Sequence, residues 1–138
     1  MKKMFIVCMG ILTLAITACK NDSSVDLKEQ DKAHLDQLLK EIKAIAQSVP
    51  CEEAGAWDFT PIGAKACGGP AAYIAYSDKI DTENFLDKVN QYTTLEKQFN
   101  KDWNIVSDCS VVAAPIGVIC DEDQLPKLIY ENVMEPYQ

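Results

Sequence analysis

CEEAGAWDFTPIGAKACGGPAAYIAYS, residues 51–77, is the stretch whose reading decides the fold. Trp57, Phe59 and Ile62 predict a short strand. Pro61 confines that strand to a sheet edge, because proline donates no ladder hydrogen bond. Gly68-Gly69-Pro70 is a turn signal. Ala71 to Ser77, with its tyrosines and isoleucine, predicts a second strand. Glycine-rich turns can cradle phosphate through backbone N–H groups. Here the GxxxxGK[ST] pattern is absent and no helix follows at once, so the turn beside Cys67 is read as structural.

Helical periodicity flanks this stretch on both sides. Upstream, Leu35, Leu38, Leu39, Ile42, Ile45 and Val49 recur at helical spacing, with Lys32, Asp36, Lys40 and Lys43 opposite. Asp26 is the expected cap, with Glu29 as its capping-box partner, and Pro50 stops the helix. His34 lies on the flank of the apolar stripe and reads as a packing residue. Downstream, Asp81 or Thr82 caps a helix to about Trp103, with Phe85, Val89, Tyr92, Phe99 and Trp103 on one face and Leu86 and Leu95 beside it.

Beyond Trp103 the pattern weakens. Ser110 to Ala114, a Pro115-Ile116-Gly117 turn and Gly117 to Cys120 predict a hairpin bracketed by Cys109 and Cys120. Asp121-Glu122-Asp123 lacks the spacing and glycine of a calcium loop and reads as a solvated turn. Leu128 to Tyr130 predicts a last strand, and residues 132–138 a loose tail. The expected architecture is α+β: two amphipathic helices packed on a small antiparallel sheet.

The N-terminus carries a separate message. Lys2 and Lys3 precede an uncharged apolar run, Met4 to Thr17. The run falls short of the about 20 apolar residues a membrane-spanning helix needs and has the form of a secretory signal. Its end, Ile16-Thr17-Ala18-Cys19, resembles the lipobox of bacterial lipoproteins. That resemblance implies residues 1–18 as a signal peptide, lipid attached to Cys19, and a membrane held through several acyl chains. Residues 19–26 follow as lipidated cysteine and flexible tether, and residues 27–138 as one globular domain. Lys20-Asn21-Asp22 partly resembles the lysine-plus-acid signal that sends some Gram-negative lipoproteins to the cell surface. The expected location is the cell envelope, at the outer membrane, facing the periplasm or the surface.

Export sorts the six cysteines. Cys8 leaves with the signal and Cys19 takes the lipid, so Cys51, Cys67, Cys109 and Cys120 remain. An even number in an oxidising compartment predicts two disulfides. Three pairings are open. Cys51–Cys67 and Cys109–Cys120 are favoured because each closes a short, turn-rich loop. With no CxxC pair and one distant histidine, a metal site is not expected, and no cofactor motif is present.

Charge narrows the partners. Loss of Lys2 and Lys3 leaves 11 lysines against 21 acids, a net charge of −10, with no arginine anywhere. Nucleic-acid binding needs a basic stripe, so it is excluded. Catalytic signatures are missing too: no GxSxG, no HExxH, no cysteine free beside a histidine. The reading is therefore a binding or inhibitory module rather than an enzyme, with an unidentified protein or glycan as ligand. A small envelope hydrolase using acids such as Glu52 and Glu53 is the alternative, and a purely structural envelope protein is a third. The expected binding surface is the Gly55 to Gly69 loop, made rigid by Cys51 and Cys67. Trp57 and Phe59 are each expected to turn inward, which leaves Asp58, Thr60 and Lys65 as the exposed candidates.

The segments Ile62-Gly63-x-Lys65-Ala66-Cys67-Gly68-Gly69-Pro70 and Ser107-Asp108-Cys109 resemble small lipoproteins of Gram-negative bacteria with no established activity. The resemblance covers Trp57 to Cys120 and carries over no functional residues.

Overall fold

The computed structural model describes residues 23–131. The expected signal peptide, the expected lipid site Cys19 and the expected tail at 132–138 lie outside them. In chain order come α1 (Ser23–Ala46), a short 3-10 turn (Ala54–Ala56), β1 (Trp57–Ile62), β2 (Ala72–Ser77), α2 (Thr82–Asp102), β3 (Gly117–Cys120) and β4 (Pro126–Ile129). The class is α+β, as expected. The strands form two antiparallel hairpins, β1–β2 and β3–β4, rather than one sheet.

The β1–β2 register explains the layering. Trp57 faces Ser77, Phe59 faces Ala75 and Thr60 faces Ile74. Side chains alternate across a strand, so the hairpin has two working faces. Ile62, Ile74 and Tyr76 on one face pack against the helices, with Leu35, Leu38, Ile42 and Ala46 of α1 and Phe85, Val89 and Tyr92 of α2. On the other face Trp57 and Ala75 pack with Cys51, Val118, Cys120 and Leu128. The first hairpin is thus the middle layer between the helices and the second hairpin. Fully burying a side chain of the Leu35 or Ile42 class stabilises by about 1.5–3 kcal/mol.

The helices run antiparallel. Trp103 Nε1, just past α2, donates to Asp31 Oδ2 near the start of α1 at 3.0 Å, and Lys88 pairs with Glu41 at 3.6 Å. Asp81 caps α2 by accepting from the Asn84 N–H at 3.1 Å, as its sequence predicts. Asp26 does not cap α1. The helix already includes Ser23, so it takes in residues 23–26, which composition assigned to the tether. Asp26 lies in the first turn, where its charge favours the positive end of the helix.

Two expectations fail beyond α2. Ser110 to Ala114 forms no strand, and the second hairpin turns at Asp121 to Leu125 instead of Pro115-Ile116-Gly117. Val111 is 94% exposed, and no strand among the described residues pairs with its short apolar run. The actual turn is built by Asp121, whose Oδ1 accepts from the N–H groups of Asp123 at 3.0 Å and Leu125 at 2.8 Å. Those backbone bonds, Leu125 first, hold its carboxyl below the usual range, with help from Lys127.

The favoured disulfides are both corrected. Neither Cys51–Cys67 nor Cys109–Cys120 exists; Cys51 is bonded to Cys120, with Cα atoms 5.2 Å apart and a sequence separation of 69. The Cys51 N–H donates to Gln124 O at 2.8 Å. That bond seats Cys51 against the second hairpin, far from the turn that holds Cys67. Cys67 and Cys109 are instead neighbours in space, both exposed and both thiols.

Candidate ligand cleft

The turn between β1 and β2 is held by α2 through its backbone. Gly63 has a φ of 75°, a left-handed conformation that favours glycine. A side chain there would also overlap the Glu96 carboxylate. The Gly63 N–H donates to Thr93 Oγ1 at 3.0 Å and the Ala64 N–H to Glu96 Oε2 at 2.6 Å. Asn100 Nδ2 donates to Ala64 O at 2.7 Å. Glu96 accepts at its other oxygen from the Tyr92 hydroxyl, 2.8 Å away. Burial first, then Glu96, pushes the Tyr92 phenol far upward, so it stays a donor at any ordinary pH.

The far side of the turn holds the irregular segment after α2. Lys65 Nζ donates to Asp108 Oδ1 at 3.0 Å, Ser110 O at 2.7 Å and Ser110 Oγ at 3.0 Å. The Ala66 N–H donates to Ser107 Oγ at 3.1 Å. Ser110 first, then Lys65, holds the Asp108 carboxyl below its usual range.

Between the turn, the second half of α2 and residues 104–106 lies a surface cleft of about 1100 Å³. Asn90, Thr94, Lys97 and Lys101 line it from α2, at positions that fall on one helical face. Thr60, Gly68 and Gly69 line it from the turn side. The lining contains three lysines and no aspartate or glutamate, on a chain of net charge −8. Neither Lys97 nor Lys101 is in an ion pair among the described residues. Lys101 also offsets the negative end of α2, in whose last turn it sits. A smaller hollow of about 570 Å³ lies between α1, β2 and β4 and is mostly apolar, with Leu39, Ile74 and Leu128 in its wall.

The three expected binding residues separate. Thr60 and Lys65 line the cleft; Asp58 does not. Asp58 lies beside Tyr76, Asp78 and Leu86 at another edge, and its carboxylate accepts from its own neighbour, the Phe59 N–H, at 2.7 Å. Lys65 is a poor ligand group despite its charge, because its side chain is only 13% exposed and already bound. Trp57 is buried, as expected, while Phe59 is half-buried in an edge-to-face contact with Tyr73 at 6.2 Å. The Gly55 to Gly69 segment is not a bridged loop: it comprises β1 and the turn after it, made rigid by the partner strand and by α2.

The sequence reading missed Asn90, Thr94, Lys97 and Lys101. A signal was present: cations and amides at helical spacing on the polar face of a helix in an acidic chain. Glu52, one of the acids considered for hydrolysis, pairs with Lys79 at 3.9 Å and lies outside the cleft. No helix among the described residues is long and apolar enough to cross a membrane. No protein-family model matches the chain, and no curated protein or solved structure is significantly similar to it.

Proposed function

We propose that the chain is a lipid-anchored protein of the cell envelope whose exported domain is a non-catalytic binding module. Its cleft takes an anionic, hydroxyl-rich ligand, a glycan that carries carboxylates. The observation that carries this reading is the acid-free lining with Lys97 and Lys101 on an otherwise acidic chain. Charge-assisted hydrogen bonds from lysine favour carboxylate oxygens. Thr60, Thr94, Asn90 and Gln98 offer both donors and acceptors to sugar hydroxyls. The walls are held by backbone bonds to α2, so little order must be gained on binding.

The full lipoprotein in detergent micelles, titrated with oligogalacturonate and with a neutral oligosaccharide of the same length, tests it. The acidic sugar is expected to bind more tightly, and less so as salt rises. Replacing Lys97 and Lys101 with alanine is expected to weaken binding about 10- to 100-fold and to leave the Tm nearly unchanged. Equal binding of both sugars, or wild-type affinity in the double variant, rules the cleft reading out.

The anchor rests on Ile16-Thr17-Ala18-Cys19, outside the described residues. Cys19→Ser is expected to abolish incorporation of radiolabelled palmitate and to leave the precursor unprocessed. A variant that is still cleaved and still labelled would refute lipid attachment at Cys19.

A further inference from the structure

The four cysteines of the domain sit in two unlike settings. Cys51 is 2% exposed, within the cluster of Trp57, Ala75 and Val118, and its bridge to Cys120 is closed. Cys67 and Cys109 are exposed thiols whose side chains neighbour each other. Cys67 Sγ also lies 3.5 Å from Asp108 O and 3.6 Å from Ser107 Oγ. Two links that involve no sulfur keep the pair together: Lys65 to Asp108 and Ser110, and the Ala66 N–H to Ser107. The two thiols are therefore held near each other by contacts that do not depend on a bond between them. Neither lies in a packed core whose loss would oppose reduction.

We propose that Cys67 and Cys109 form a thiol–disulfide exchange site, a reversible bridge made and broken by an external dithiol/disulfide while Cys51–Cys120 stays closed. The environment assigns the order of steps. Contact with Cys109 first, then Ser107, and the charge of Lys65 hold the Cys67 thiol below its ordinary value, while contact with Cys67 first, then desolvation, pushes Cys109 up. Cys67, with Ser107 Oγ at 3.6 Å and the Lys65 ammonium on the same turn, is the thiol placed to react as thiolate. It attacks one sulfur of the external disulfide and forms a mixed disulfide, and the other external sulfur leaves as thiolate. Cys109, losing its proton, attacks Cys67 Sγ and expels the second external thiolate. Two protons and two electrons pass to the external pair, which ends as two thiols; reduction reverses each step.

The test uses the full chain in detergent, equilibrated in glutathione buffers of graded [GSH]²/[GSSG], acid-quenched, alkylated and mapped as non-reduced peptides. The Cys67–Cys109 link is expected to open at a ratio at least 10-fold lower than Cys51–Cys120, a difference of about 30 mV or more. In a Cys67→Ser variant, Cys109 is expected only as free thiol or glutathione mixed disulfide, never joined to another cysteine of the chain, while the midpoint of Cys51–Cys120 moves less than threefold. A shared midpoint, free Cys67 and Cys109 in the most oxidising buffer, or either of them joined to Cys51 or Cys120 would overturn the proposal. Alkylation is read without any cleft ligand, so this outcome is separate from that of the sugar titration.

Discussion

A chain with Cys51 and Cys120 both changed to alanine is expected to lose about 4 kcal/mol of stability. The bridge closes a loop with a sequence separation of 69 residues. In the chain-entropy picture a loop of that length raises the free energy of the unfolded chain by about 4 kcal/mol. For a domain of this size the Tm should fall by about 15–25 °C. The change also removes two sulfurs from the cluster of Trp57, Val118 and Leu128, which adds to the loss rather than offsetting it. Differential scanning calorimetry of the oxidised wild type and the double variant measures it. A fall of under 5 °C would show that the unfolded chain is already restricted without the bridge.

Phe85→Ala should cost about 3–5 kcal/mol. Phe85 is fully buried, its ring centroid 5.1 Å from that of Tyr76. It sits where α2, α1 and the helix-facing side of the first hairpin meet. Its neighbours come from three elements, and a collapse that suits one opens a gap at another, so the cavity should persist. Val111→Ala is the control: its side chain is 94% exposed, and the change should stay within about 0.5 kcal/mol. Urea unfolding should show a much lower midpoint for Phe85→Ala with a similar slope, and no shift for Val111→Ala. A loss under 1 kcal/mol at Phe85 would contradict the layer order, since it would mean that the site repacks freely.

Both outcomes depend on features of different legibility. Phe85 was readable: an aromatic on a 3.6-residue stripe between a capping aspartate and a polar face must turn toward the other stripe. The Cys51–Cys120 bond was not. Short loops are the natural pairing when distance along the chain is all that is visible, but Cys51 is seated by Gln124, a residue in a turn that sequence reading placed elsewhere. That misplacement has its own cause. Pro115-Ile116-Gly117 and Asp121 to Leu125 are both plausible turns. What selects the second is the pairing of Val118 with Leu128 and of Gly117 with Ile129, which sets Val118 and Leu128 against Trp57 and Ala75. The cleft was half legible. Lys97 and Lys101 lie on a polar helix face that the sequence displays, whereas the opposite wall is a turn contributed from 30 or so residues upstream. Lys65 looked free because Asp108, its partner, is 43 positions away.

The sequence by itself determined the two helices, the first two strands, the turn at Gly68 and Gly69, and the α+β class. Each of these is written in local terms: a period of 3.6 or 2, a capping side chain, a residue that tolerates positive φ. Only the tertiary structure decided the register of the second hairpin, the partners of all four cysteines, the burial of Lys65 and the gathering of an acid-free cleft. Each of those joins groups far apart in the chain. Such a contact forms only after the layers have stacked, because loop-closure entropy opposes it until buried apolar surface offsets the cost.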